Sequence, residues 1–321
     1  MKDSLIIQLL SFGGVGDMMI SFWSPVKDEY VSSIAVLTAM AGCDEFSCKV
    51  VLSDNYVGKD NIGFSLFGAS YIRLRKEYER YQLGYYEQGD SFLKFLRKET
   101  GKAVYQGRSL EIIREQMYFL PLNQSLRPDI YEYLFDRELP DLRDYCESKY
   151  DFFFLNLADS GNLSTKTALE YANQVVICMP ASEWVLELLM ERYSALLPKA
   201  LIVFHGEPDS NFLRRMRRRY PAFRERMMFL PVTKEWKEVV REGRVLDFGS
   251  EGTNRGCLER SKAVFQKLRY LAFSVMRKEK NDRLLRYEDM KALFTERNSD
   301  PYKKQYSLPT GCSYVAERET V

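Results

Sequence analysis

The stretch "MMISFWSPVKDEYVSS", residues 18 to 33, contains the first strand, loop and helix start that the sequence predicts. Its apolar and aromatic beginning, stopped by Pro25, predicts a buried β-strand over residues 18–23. After the loop, the residue pattern predicts a helix from about Ser33 to Met40. A second apolar run, KVVLSD at residues 49–54, comes next. A strand, a loop, a helix and another strand in this order are typical of a parallel α/β sheet.

Five further apolar runs follow, and helical segments separate most of them. They are MYFLPL (117–122), YDFFFLNL (150–157), QVVICMPA (174–181), ALIVFHG (200–206) and RMMFLPV (226–232). This alternation predicts an α/β fold in three layers, in which a mostly parallel β-sheet of about seven strands carries helices on both faces. The charged, Tyr-rich stretch 71–116 is expected to be helical, and residues 255–297 are expected to form one or two closing helices.

The periodic pattern also predicts the domain limits. Residues 18–297 are expected to form a single α/β domain, with residues 1–17 as an N-terminal extension and residues 298–321 as a loose tail. The glycine-rich segment SFGGVGDMMIS at residues 11–21 has Asp17 and Met18 where a phosphate-binding loop has Lys and Ser/Thr. We therefore interpret it as a turn or part of the extension.

Composition excludes several classes of protein. The net charge of +2 over 321 residues gives no global attraction to nucleic acid or to membranes. The six cysteines include no CxxC pair, and the chain has one histidine, which leaves too few soft ligands for a convincing zinc site. Scattered thiols suit a reducing compartment, and no apolar run is long enough for a membrane span. We expect a cytoplasmic protein.

Four patterns in the same order resemble the ParA/MinD-type P-loop ATPases with a deviant Walker motif, including the CpaE-like branch linked to pilus assembly. The segment YDFFFLNLADSG, residues 150–161, is similar to the family's strand that ends in a metal-site Asp, although Asn156 stands at that position. ALEYANQVVICMPAS and FLPVTKEWKEVVREGRVLDF are similar to two later segments. On residues 24–33 the family's loop lysine falls on Val31, and its strand-end acid falls on Asp54.

The resemblance implies a nucleotide site, but the loop departs from the pattern. SPVKDEYVSS lacks every loop glycine, and Asp28 and Glu29 add negative charge where a polyphosphate would lie. The vestigial site comprises Lys27, Ser32, Ser33 and Asp54, with Asp159 as a candidate metal ligand. Each has a plainer interpretation: Lys27 as a solvated lysine, the serines as helix caps, and the two acids as turn residues. We expect no cofactor, with ATP and Mg²⁺ as the cofactors if the site still works.

Outside this loop, an arginine-rich segment and the single histidine are the remaining candidate functional residues. RRMRRRYPAFRER, residues 214–226, predicts either a solvated basic helix or a surface for nucleic acid or an acidic protein. The candidate contact residues are Arg214, Arg215, Arg217, Arg218 and Arg219. His205, at the end of a predicted strand, is interpreted as a packed or capping residue rather than a ligand.

Three functional hypotheses remain open at this point. The first is a ParA/MinD-like scaffold or regulator, a pseudo-ATPase that acts with a protein partner or an active relative in pilus assembly or partitioning. The second is a divergent ATPase of the same family. The third is a nucleic-acid-binding module, with nonspecific DNA as its ligand. The resemblance implies a homodimer, since relatives in the family form dimers. The tail lacks the amphipathic pattern that direct membrane attachment requires.

Overall fold

Eight strands form one sheet in the part of the chain that the structure, a computed structural model, describes: residues 18–56, 61–68, 109–120, 128–158, 162–207, 211–248 and 259–276. The strands are β1 (Met18–Trp23), β2 (Val50–Asp54), β3 (Leu110–Ile113), β4 (Met117–Phe119), β5 (Phe152–Asn156), β6 (Gln174–Pro180), β7 (Ala200–Gly206) and β8 (Met227–Pro231). Their order across the sheet is β3-β4-β2-β5-β1-β6-β7-β8. All described residues lie in the first of the chain's two compact units, Met1–Leu284; the second, Leu285–Val321, lies outside them.

The predicted fold class is confirmed, since every neighbouring pair of strands is parallel except β3 and β4. The sheet has eight strands where about seven were predicted, and the additional strand is β3, at residues 110–113, where a helix was expected. This strand turns back onto β4 through Glu115, whose φ is 60° and whose N–H is bonded to the Glu111 carboxylate at 2.7 Å. Because β3 is a short edge strand with a charged residue inside it, it has no apolar run to reveal it.

The described ranges contain eight α-helices with defined bounds, two 3₁₀ segments and a further helical stretch at residues 245–248. The α-helices are α1 (Val31–Phe46), α2 (Ile62–Phe67), α3 (Pro128–Glu147), α4 (Leu163–Tyr171), α5 (Glu183–Arg192), α6 (Phe212–Arg219), α7 (Lys234–Glu242) and α8 (Glu259–Met276). The 3₁₀ segments are Ser194–Lys199 and Pro221–Arg226. None of the described helices has both the length and the apolar character needed to cross a membrane. Four predicted regions lie wholly or partly outside the described residues: the extension 1–17, residues 71–108 of the expected helical stretch, residues 255–258 and 277–297 of the closing region, and the tail 298–321.

Strand β1 lies at the centre of the sheet, between β5 and β6. Its residues from Met19 to Trp23 are buried, and the ring of Phe22 lies 5.0 Å from that of Phe154 on β5. From β1 the chain passes through α1 to β2 on one side, whereas β5 passes through α4 to β6 on the other. Ligands of open α/β sheets bind beyond the carboxyl ends of the strands at such a reversal of direction. The loop after β1 therefore lies at the edge where a site is expected.

Helix α7 reaches this edge from the far side of the sheet, after β8. Thr233 begins the helix, and its hydroxyl accepts the Trp236 N–H at 3.2 Å. Gly243 ends it with a left-handed φ of 67° and lies against Gly68, which ends α2 with a φ of 53°. A Cβ atom on Gly243 would lie 2.3 Å from the Gly68 Cα and 2.4 Å from the Phe64 carbonyl oxygen. The ends of α2 and α7 thus meet backbone to backbone.

Replacing Gly243 with Ala is expected to lower the free energy of unfolding by about 3 kcal/mol or more, since it combines a left-handed φ with a backbone clash. Urea unfolding monitored by circular dichroism measures the change. Arg241→Ala, at an exposed position of the same helix, is the matched control and should change the stability by less than about 0.5 kcal/mol. Equal stability of the two variants would contradict the described contact.

Candidate functional site

The loop between β1 and α1 carries a carboxylate that points inward. The side chains of Asp28 and His205 are 2% and 5% exposed, and Asp28 Oδ2 lies 2.5 Å from His205 Nε2. The other carboxylate oxygen, Oδ1, accepts the backbone N–H of Tyr30 at 2.9 Å. Tyr30 is the residue at which α1 begins, and no side chain caps the helix at that position. A negative group therefore lies at the N-terminal end of α1, where the helix dipole favours an anion.

Aromatic side chains cover this pair. The Tyr30 ring lies 4.9 Å from the His205 ring and 5.9 Å from Trp236, which α7 supplies. Trp236 is fully buried, and its Nε1–H donates to the Ser33 hydroxyl at 3.2 Å. Burial and the nearby carboxylates of Glu29 and Asp28 raise the pKa of Tyr30 to about 12, so its phenol stays protonated at neutral pH. The β1–α1 loop is thus fixed to β7 and to α7.

The residues predicted for the nucleotide site lie close together in sequence but have different environments. Lys27 is exposed. Ser32 is buried in the first turn of α1, where its hydroxyl shares a 2.9 Å hydrogen bond with that of Ser65. The interpretation of Ser32 and Ser33 as caps is wrong, because α1 begins earlier, after Tyr30. Ser33 instead donates its hydroxyl to the Tyr30 carbonyl oxygen at 2.8 Å.

Asp54, at the end of β2, is brought beside Asn156, at the end of β5, because the two strands are neighbours in the sheet. Asn156 Nδ2 donates to Asp54 Oδ1 at 2.7 Å, and the Ile62 N–H donates to both carboxylate oxygens at 3.0 and 3.2 Å. Both residues are buried. A second carboxylate at position 156 would place two like charges at this distance, whereas the amide supplies a donor.

Burial raises the pKa of Asp54 from 3.8 to about 7, against the opposing effect of the hydrogen bonds from Ile62, Asn156 and Gly63. The Asn156 Oδ1 atom is buried without a hydrogen-bond partner. Asn55, which the sequence analysis missed, continues the polar edge: its Nδ2 donates to Thr165 Oγ1 at 3.0 Å and its Oδ1 accepts the Ala158 N–H at 2.7 Å. Its position directly after Asp54, at the end of a predicted strand, was the sequence feature from which Asn55 could have been identified.

The metal ligand predicted at Asp159 lies outside the described residues. Within the described ranges, no group of three or more His, Cys, Asp or Glu side chains is arranged to hold a metal ion. A phosphate cradled as in the P-loop family needs convergent N–H groups and open space at the start of α1. Asp28 and Tyr30 do not suit this requirement, since one adds a carboxylate and the other adds an aromatic ring at that position.

The predicted basic helix is α6, and intramolecular contacts engage most of its candidate arginines. Arg215 and Arg219 form ion pairs with α5: both contact Glu183 at 3.5 Å, and Arg219 contacts Glu187 at 2.6 Å. Arg217 is partly buried and donates to the Met227 carbonyl oxygen at 2.6 Å. Its role is to join α6 to the start of β8, so it is not a free surface cation.

The two remaining arginines of the set face solvent. Arg214 and Arg218 are exposed and lie four residues apart on α6, which places them on the same side of the helix. Arg214 donates to Asn211 Oδ1 at 2.9 Å. The run therefore divides into arginines that pair with α5, one that joins α6 to β8, and two that point outward.

Solved structures with the same fold come from the ParA/MinD-type ATPases. The chain matches a ParA family ATPase from Chlorobium tepidum TLS with 14% identity and a TM-score of 0.53, over 79% of this chain and 98% of that chain. It also matches the septum site-determining protein MinD, complexed with Mg-ADP, from Pyrococcus horikoshii OT3 (14% identity, TM-score 0.52, 82% and 99%). A third match is the cell division ATPase MinD from Pyrococcus furiosus, with 14% identity and a TM-score of 0.52, over 79% of this chain and 97% of that chain.

No family model and no curated protein sequence matches the chain. At 14% identity the structural matches establish the fold alone, which is the ParA/MinD-type P-loop fold implied by the resemblance. That prediction is confirmed. The assignment to the CpaE-like branch stays a prediction.

The raised pKa of Asp54 predicts a pH-dependent stability. Between about pH 4 and pH 7 the folded state holds a proton on Asp54 that the unfolded state releases, so this residue makes the stability fall as the pH rises. Asp54→Asn should remove this slope and, above pH 7, raise the free energy of unfolding by a few kcal/mol, on the order of 1.4 kcal/mol per unit of pKa shift. Urea unfolding at several pH values measures it. The exposed Asp141→Asn should keep the wild-type slope; an unchanged slope in Asp54→Asn would refute the assignment.

Two neighbouring arginines of α6 should differ in their effect on stability. Arg217→Ala removes the bond to Met227 and a partly buried stem, and is expected to cost about 1–2 kcal/mol. Arg218→Ala changes an exposed side chain and should cost less than about 0.5 kcal/mol. Thermal unfolding of both variants decides the point. Equal losses would contradict the division of the basic run.

Proposed function

We propose that this chain is a ParA/MinD-fold scaffold or regulator that does not bind or hydrolyse ATP and that works through a protein partner. The observation that carries the proposal is the inward carboxylate of Asp28 at the start of α1, bonded to the Tyr30 N–H and to His205. An internal anion at this position opposes an external one, because two negative groups at one helix terminus repel each other.

The packing around the loop supports the same proposal. Opening the loop for a phosphate would separate the buried Asp28 and His205 side chains, and breaking a buried hydrogen-bonded pair leaves polar groups in the interior without a partner. It would also move Tyr30 away from Trp236, whose position α7 fixes through Thr233. Lys27, the one cation of the loop, is exposed and does not take part in this cluster.

The acidic groups that would serve a metal and a hydrolytic water are also altered. Burial raises the pKa of Asp54 to about 7, so this carboxyl is held in its charged form far less firmly at neutral pH than an ordinary aspartate. Its neighbour is Asn156, whose amide is a weaker metal ligand than a carboxylate and cannot act as a general base. These features support a role without catalysis.

A partner-based role draws on the comparisons by analogy. The matched structures are described as a ParA family ATPase and as MinD proteins of septum-site determination and cell division. A chain with this fold and a closed loop would keep the backbone arrangement of such proteins while its shape no longer depends on nucleotide. We place its action in the positioning or assembly of a cellular machine, of pilus or partition type.

Isothermal titration with Mg-ATP and with Mg-ADP tests the proposal. The wild-type chain should give no saturable heat at nucleotide concentrations up to about 1 mM. This result would mean that the Kd is weaker than about 1 mM, which corresponds to a binding free energy smaller in magnitude than about 4 kcal/mol. A ParA/MinD-type ATPase with an intact phosphate loop serves as the positive control in the same buffer. Saturable binding in the micromolar range, with phosphate release above background, would establish the divergent ATPase instead.

A further inference from the structure

Trp184 is an unusually exposed aromatic residue. Its exposed fraction is 64%, and the other large hydrophobic residues that are exposed in the described part of the chain, Leu163 at 55% and Tyr171 at 40%, both lie on α4. Trp184 is the second residue of α5, whose next two residues, Val185 and Leu186, are buried. The backbone around Trp184 is therefore held by the core while its indole faces solvent.

Ion pairs bring two arginines of α6, Arg215 and Arg219, beside the first turns of α5, which carry Trp184. Glu183, which precedes Trp184, contacts both Arg215 and Arg219 at 3.5 Å. Glu187 lies one helical turn beyond Trp184 on the same side of α5 and contacts Arg219 at 2.6 Å. Trp184 is thus flanked by side chains that reach across to α6.

This surface has a net positive charge even after its internal pairing. Residues 183–192 and 212–226 contain eight arginines and four glutamates, a formal charge of +4, whereas the whole chain has +2. Arg214 and Arg218 are exposed, and Arg217 and Arg226 donate to backbone carbonyls rather than to carboxylates. These two segments therefore carry an excess of positive charge, and α5 also carries the exposed indole of Trp184.

We propose that the surface formed by Trp184 and the arginines of α6, the Trp–Arg surface, docks an acidic protein segment that carries an apolar side chain. Trp and Arg are the residues most enriched among those that dominate protein–protein binding energy. The indole offers apolar area for one side chain of the partner, and Arg214 and Arg218 offer charge-assisted hydrogen bonds to its carboxylates.

The same surface fits a nucleic acid less well. Glu183 and Glu187 present carboxylates beside Trp184 that would repel a phosphate backbone, and they already engage Arg215 and Arg219. Affinity for a phosphate backbone depends on the number of cations free to neutralise it. An acidic protein segment needs only a few such contacts once its apolar residue is buried.

This docking surface does not depend on the proposed absence of nucleotide binding, since it lies on α5 and α6 and not on the β1–α1 loop. A result that overturns one leaves the other standing. If both proposals are correct, the partner through which the scaffold acts binds at the Trp–Arg surface and presents an acidic segment with an apolar side chain.

A random 12-residue peptide library displayed on phage and selected on the full chain tests the proposal. The enriched peptides should be acidic and carry at least one large apolar residue, and fluorescence polarisation of a labelled example should give saturable binding. Trp184→Ala and the double variant Arg214→Glu/Arg218→Glu should each weaken that binding by at least tenfold. Leu163→Ala, an exposed apolar residue of α4, is the matched control and should bind as the wild type does.

Circular dichroism and thermal unfolding confirm that each variant is folded before its binding is compared. Enrichment of peptides that are not acidic, or equal binding by Trp184→Ala and the wild type, would overturn the proposal. Fluorescence polarisation with a labelled single-stranded 20-nucleotide DNA tests nucleic acid as the alternative ligand. Tighter binding of the DNA than of the selected peptides, lost in the double arginine variant, would reassign the surface to nucleic acid.

Discussion

The hydrogen-bonded pair of Asp28 and His205 holds the centre of this protein's functional edge in place. It joins the loop after the central strand β1 to the end of β7, two strands away. Because one oxygen of Asp28 also holds the Tyr30 N–H, the pair fixes the residue at which α1 begins. Tyr30 then packs on Trp236 of α7, so the start of one helix and the side chain of another depend on one carboxylate.

The strand pattern of the sheet could be predicted from the sequence because the buried strands are apolar runs that end at turn residues. β1 and β7 have the predicted limits, and the other five predicted strands are one to three residues shorter than their apolar runs. β3 could not be predicted in this way, since a four-residue edge strand that contains a charged residue has no distinctive pattern. Its pairing depends on the turn at Glu115 and on β4, which are tertiary features.

The site was only partly predictable. The strand-end position of Asp54 and the substitution at Asn156 were visible in the sequence, but their contact depends on the order of the strands, which no local pattern gives. Asp28 was expected to repel a phosphate from the loop, and its pairing with the one histidine of the chain, 177 residues away, came from the fold. The basic run was equally ambiguous, because the division of its arginines depends on the position of α5.

The glycine contact between Gly68 and Gly243 constrains how this architecture can diverge. Neither position has room for a side chain, and each residue has a left-handed backbone that glycine adopts at little cost. A larger residue at one position requires a shift of the other helix end. Among descendants of this chain, the two glycines should therefore be retained together or replaced together.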